Sequence, residues 1–110
     1  MATVLVKMNI CDFTHKITVT MRDDGDLDVH IVTPCQHVRE FAQYLGKTIT
    51  VGDVTDREGS KLFDPDVLKP LTLTCLAPKG VIDAAWLELG MLSKSRAKAV
   101  GSNEISYEEV

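Results

Sequence analysis

Aromatic residues are scarce, only 5% of a 110-residue chain. A core built from this sequence must be aliphatic, drawn from Val, Leu, Ile and Met. No stretch reaches the ~18 consecutive apolar residues that a membrane-spanning helix needs. Met1 to Met8 lacks both a charged leader and a long apolar run, so it does not read as an export signal. Positive charge is not in excess either: 12 Lys and Arg stand against 16 Asp and Glu, a formal net charge of −4. A domain that grips phosphate backbones normally carries a basic patch or stripe. Lys94, Arg96 and Lys98, the basic residues nearest one another, merely follow an expected helix, so a nucleic-acid partner is not expected. Phosphate loop, nucleophile elbow and metalloprotease motif are all missing, and so are repeats and low-complexity tracts.

What is present suits a single α+β domain over residues 1–110, an antiparallel sheet with two main helices packed on one face. Hydrophobic residues make up 45%, too many for a disordered chain. Thr3 to Met8 reads as a strand. In Phe13 to Met21, Phe13, Ile17, Val19 and Met21 alternate with Thr14, Lys16, Thr18 and Thr20, a strand pattern with period two. The Asp24-Gly25 turn and Leu27 to Val32 complete a hairpin. Thr33-Pro34-Cys35-Gln36 fits a capping box, with Thr33 at the N-cap. The apolar stripe of Val38, Phe41, Ala42 and Leu45 follows, and Gly46 ends the helix.

Beyond Gly46, Thr48 to Val51 suggests a short strand and Gly52 to Ser60 a polar loop. Asp64-Pro65 opens a short helix through Lys69, and Leu71 to Cys75 reads as extended. A second long helix is expected from Pro78 to about Leu92, burying Val81, Ile82, Ala85, Leu89 and Leu92. Residues 93–110 are expected to be a polar segment ending in a strand around Ile105 and Tyr107.

Cys11, Cys35 and Cys75 carry the most chemistry. They stand far apart, so no Cys-x-x-Cys pair exists and spacing alone gives little metal signal. Their number is odd and cannot close fully into internal disulfides; with no export signal, reduced thiols in a cytoplasm are expected. Each cysteine marks the edge of an element. Cys11 falls in a turn between strands, Cys35 in the first turn of a helix, where free N–H groups and the dipole favour a thiolate. Cys75 falls just before the second helix. Against this stands the tendency of cysteine to pack as a small buried hydrophobe. His15 has the parity of the apolar face of its strand and could add one nitrogen to three sulfurs; a core histidine held by a hydrogen bond is the commoner outcome. His37, two residues from Cys35, would point away from it in a helix. Asp23, Asp24, Asp26 and Asp28 lack the ligand spacing and terminal Glu of a calcium loop and read as a solvated turn. Trp86 is expected to pack.

Cys11-Asp12-Phe13-Thr14 before a hairpin, then Ile31-Val32-Thr33-Pro34-Cys35 before Val38, Ala42 and Leu45, resembles a family of small three-cysteine proteins of unknown function from anaerobic archaea and bacteria. Cys75-Leu76-Ala77-Pro78, with Ala84, Ala85 and Gly90-Met91, is similar to that family's third cysteine motif. Leu76 stands where the family carries a proline, and residues 47–70 do not match clearly. The resemblance implies that the three cysteines form a set. The expectation is then a soft metal ion, zinc for example, or an iron–sulfur cluster held by Cys11, Cys35 and Cys75. The fourth position would come from His15, a protein partner or an exogenous ligand. A cofactor-free interaction module with buried cysteines, or a thiol enzyme using Cys35, are the alternatives.

Overall fold

A computed structural model describes residues Met1–Val110. Strands β1 (Ala2–Met8), β2 (Phe13–Met21), β3 (Leu27–Val32) and β4 (Thr48–Ile49) form one antiparallel sheet in the order β1-β2-β3-β4. Helices α1 (Gln36–Leu45), α2 (Val51–Thr55), α3 (Pro65–Leu68), α4 (Ala77–Glu88) and α5 (Lys94–Val100) complete an α+β fold. Register follows from the side-chain alternation. Val6 opposes His15, Val4 and Ile31 oppose Ile17, and Val29 opposes Val19, so these residues share one face. That face and the apolar stripes of α1 and α4 bury one aliphatic cluster, with Phe41 its only fully buried aromatic. The opposite face is open, carrying Thr3, Lys7, Thr14, Lys16, Thr20 and His30.

α1 begins two residues later than the capping-box reading expects. Its N-cap is Cys35, and no side chain caps the helix. Thr33 is engaged elsewhere: its hydroxyl oxygen accepts the Cys35 N–H at 3.0 Å and bonds to His15 Nδ1 at 2.6 Å. Thr33 thus ends the strand instead of opening the helix. Gly46 closes α1 as expected, at φ 84°, its N–H donating to Ala42 O.

The stretch expected as a polar loop from Gly52 contains most of α2. Thr50 caps it, accepting from the Asp53 N–H while the Asp53 carboxylate accepts from the Thr50 N–H, a reciprocal box with Asp in the place of Glu. The same carboxylate accepts the Lys61 N–H at 3.0 Å, tying α2 to a 3-10 turn at Lys61–Phe63. Asp64 caps α3 as its sequence predicts. Leu71 to Cys75 is not extended: the Leu71 N–H bonds to Leu68 O and the Cys75 N–H to Thr72 O, so the segment turns twice.

α4 ends at Glu88, short of the expected Leu92, and buries a stripe of small residues: Ala77, Gly80, Val81, Ala84 and Ala85. Small side chains let the helix lie close to β1 and β2. At Gly80 the approach is so tight that a Cβ would stand 2.3 Å from Val6 Cγ2 and 2.9 Å from Ile17 Cδ1. Trp86 reaches from α4 to α2, its Nε1–H donating to Val54 O at 2.7 Å. The expected last strand does not form. Lys94–Val100 is helical instead, capped by Ser93, and residues 101–110 are exposed and without regular structure.

Candidate thiol site at one end of the sheet

Strand direction decides where the three cysteines lie. β1 ends and β2 begins at the turn holding Cys11, and β3, antiparallel to β2, ends beside the same edge, with Val32 opposite Lys16. Cys35 follows three residues later. α4 runs across the sheet from this end to the other, because Glu88 at its far terminus accepts the Met21 N–H at 2.8 Å and pairs with the Met1 ammonium. Its first turn, and Cys75 just before it, therefore sit at the end that carries Cys11 and Cys35. Three connections from distant parts of the chain thus bring the three cysteines to one end of the sheet.

Local conformation fixes each one. The turn Asn9–Asp12 closes through the Asp12 N–H on Asn9 O, with Asp12 at φ 57°. Asp is one of the few side chains that visits this left-handed region readily. Cys11 is exposed on that turn, whereas Cys35 and Cys75 are half-buried and pack against the core. The reading of all three as buried packing residues is thereby corrected for Cys11. Cys75, expected in an extended run, instead follows a turn and stands ahead of α4.

All three cysteines are free thiols. Burial pushes the Cys75 thiol up; the Ala77 N–H facing it works the other way, and negative charge on Cys35 and Cys11 adds to the rise. As the side chains stand, no three His, Cys, Asp or Glu groups form a ligand cluster. Rotation about χ1 is the freedom left to a cysteine held at a fixed Cα, and the exposed Cys11 is the least restrained of the three.

His15 lies beneath this end, 1% exposed and opposite Val6. Burial lowers its pKa below the usual imidazole value, because the charged form loses solvation. Its Nδ1 is held by Thr33, whose oxygen also takes the Cys35 N–H. Sequence reasoning placed His15 on the apolar face correctly but assigned Thr33 to a helix cap; a hydroxyl at the end of a strand gives no local sign of a partner eighteen residues earlier. It also passed over Ile10, Leu73 and Leu76, exposed apolar residues beside Cys11 and Cys75. His37 stands exposed in the first turn of α1, two residues after Cys35, and Asp23, Asp24, Asp26 and Asp28 lie at the far end, around the β2–β3 hairpin.

The model of a family of unknown function, DUF6951, matches residues 2–100. The chain belongs to that family. The match takes in all three cysteines, His15 and Thr33, and leaves the irregular residues 101–110 outside it. No curated protein and no solved structure matches the chain. No helix is long and apolar enough to cross a membrane.

Proposed function

We propose that Cys11, Cys35 and Cys75 act together as a thiolate site for a soft metal ion or an iron–sulfur cluster. The observation that supports this reading is topological: three connections, far apart in sequence, deliver one cysteine each to the same end of the sheet. Thiolates select zinc, copper(I) or iron–sulfur centres over magnesium or calcium. His15, buried beneath the same end of the sheet, is the chain's own candidate for a fourth ligand through its second ring nitrogen. Its Nδ1 is already occupied by Thr33, which would fix the tautomer in the way that outer hydrogen bonds orient metal-bound imidazoles. Three protein thiolates with one open position suit metal delivery or electron transfer. An origin among anaerobes, which the sequence resemblance implies, would suit an oxygen-sensitive centre.

The alternative of a cofactor-free module with buried cysteines is weakened by the exposure of Cys11. Metal and sulfide analysis, with an absorption spectrum, on protein purified anaerobically without chelators tests the proposal. Near-stoichiometric zinc, or iron with a visible charge-transfer band, is expected, and each of Cys11→Ser, Cys35→Ser and Cys75→Ser should lower it. Well-folded, reduced protein that takes up neither zinc nor iron would refute the site.

A further inference from the structure

Two edges bound the sheet. β4 supplies only two residues at one of them, too few to template another strand. β1 forms the other and is seven residues long. Its register with β2 runs from Ala2 to Met8 without a skipped residue, and every backbone hydrogen bond it makes goes to β2. In an antiparallel pair alternate residues turn their N–H and C=O away from the partner, so β1 presents a row of unpaired donors and acceptors along its outer side. Protein edges are ordinarily guarded by proline, bulges, several charges or a covering loop. β1 has no proline, glycine or bulge, and Lys7 is its single charge. Val4 and Val6 lie on the face toward α4, and Leu5, 56% exposed, lies on the open face. Such an edge is completed by a strand, because an extended backbone offers donors and acceptors at the matching spacing.

The chain carries a strand pattern that has no partner in the fold. Ile105 and Tyr107, 73% and 67% exposed, alternate with Glu104, Ser106 and Glu108. We propose that residues 104–108 add to the sheet as a fifth strand, parallel to β1 along its outer edge, and that the exposed, irregular tail is the open state of this closure. Position sets the direction. The chain leaves α4 at the end of the sheet where β1 begins, since Glu88 there pairs with the Met1 ammonium, so a tail advancing along the edge runs as β1 runs. Gly101, at φ 82°, ends α5 and is the joint at which the chain turns back. Reach is sufficient: residues 101–110, fully extended, span about 33 Å against roughly 23 Å for β1. Charge and alternation then select the same register. Glu108 beside Lys7 places Tyr107 beside Val6, Ser106 beside Leu5, Ile105 beside Val4 and Glu104 beside Thr3. Lys16, which opposes Leu5 on the open face, adds a second positive charge near the glutamates. A slip of one residue would turn both glutamates toward α4 and both apolar side chains to solvent. Closure depends on none of the cysteines.

NMR on the reduced, full-length chain tests the closure through amide hydrogen exchange along β1 and nuclear Overhauser contacts of the Tyr107 ring. Contacts from that ring to the Val6 methyls are expected. The outward-facing amides of β1 should exchange about tenfold more slowly than in a full-length Ile105→Asp, Tyr107→Asp variant. Glu108→Lys should remove much of that protection, and Lys7→Glu in the same chain should restore it, a rescue that a merely sticky tail would not show. All these substitutions fall on exposed side chains, and unchanged exchange in β2 verifies that the fold is intact. Outward-facing amides of β1 that exchange equally fast in both proteins, with no Tyr107 contact, would overturn the inference. Protection indifferent to the tail variants would overturn it too, by assigning the cover to another segment. Light scattering on the same samples should give a monomer; tail-dependent protection found only in a dimer would place the strand on a neighbouring copy and overturn closure within one chain.

Discussion

Gly80→Ala is the substitution that most directly tests how α4 is seated, and hence what holds Cys75 in place. In an exposed helix interior this change is favourable by about 1 kcal/mol, because alanine forms helix more readily than glycine. Here the new Cβ would stand 2.3 Å from Val6 Cγ2 and 2.9 Å from Ile17 Cδ1, against a comfortable carbon–carbon separation of roughly 3.5–4.0 Å. Neither neighbour yields easily. Val6 is β-branched and stiff at χ1, and Ile17 is fully buried. Overpacking of this kind typically destabilises by about 1–3 kcal/mol, and an overlap of more than an ångström belongs at or above the top of that range. The net expectation is a loss of about 2 kcal/mol, or roughly 8 °C in Tm at ~4 °C per kcal/mol for a domain of this size. Urea unfolding followed by Trp86 fluorescence, in reductant, measures it. Gly52→Ala in α2 is the control, since its Cβ would meet only Thr50 Oγ1 at 3.6 Å, an ordinary contact; stability should hold or rise slightly. Val6→Ala removes the clashing methyl, so combined with Gly80→Ala it should recover about 1 kcal/mol or more relative to additivity. A Gly80→Ala protein as stable as the wild type would refute the close seating of α4 on β1 and β2.

Asp53→Ala should destabilise by about 1–3 kcal/mol in chemical unfolding, since it removes an N-cap partner and strands the buried-side N–H of Lys61. Asp53 also sets a pH dependence. Burial pushes its carboxyl up, but the N–H groups of Thr50 and Lys61, the Thr50 hydroxyl and the Lys61 charge outweigh this and hold it below its ordinary 3.8. Because the folded value is the lower one, the carboxylate stabilises the fold above about pH 4 and that contribution disappears as pH falls through the folded value; Asp53→Asn should flatten the acid limb of a stability–pH curve. Among the thiols, Cys75 should alkylate with iodoacetamide more slowly than Cys11, because burial raises its thiol and restricts access while Cys11 is exposed. Peptide mapping over a time course decides the order, and equal rates would mean that Cys75 is not shielded at the foot of α4.

The parts legible in the sequence are those whose signals are local. β2 and β3 match their expected bounds because strict alternation and an Asp-Gly turn fix both period and register. Asp64-Pro65 opens α3 as read, and Gly46 closes α1, since each signal is complete within a few residues. The misreadings share a cause in long-range competition. Thr33 carries the right residue type for an N-cap, but His15 claims its hydroxyl from across the sheet. Thr50 and Asp53 form a capping box that a glycine-containing, largely polar run conceals. In α4 a search for large apolar residues favours Leu89 and Leu92, whereas the close sheet contact selects Ala77, Gly80 and Ala84 beside the expected Val81 and Ala85. Lys94 to Val100 has no apolar stripe to reveal it, and α5 buries none of its residues. That the three cysteines fall at one end of the sheet was not legible, because their placement depends on strand direction and on the path of α4.

The way the three cysteines are mounted bears on how a ligand could be gripped. Cys75 precedes a helix fixed at three points along its length: Gly80 against Val6 and Ile17, Trp86 on Val54 O, and Glu88 on the Met21 N–H. Cys35 is held through its backbone, its N–H on Thr33 and its carbonyl accepting the Arg39 N–H. Cys11 has no comparable anchor; its turn closes through one hydrogen bond of 3.3 Å and stands in solvent. On the proposed reading, two half-buried, anchored sulfurs and one exposed, lightly held sulfur would close on a ligand by movement of the Cys11 turn, with the sheet undisturbed. Ordering that turn costs entropy when the site fills, so binding should register first as protection of Ile10–Asp12 from hydrogen exchange, with β2 and α4 little changed. Protection spread evenly over the sheet would instead indicate that filling the site reorganises the fold, contrary to the division between fixed and movable cysteines.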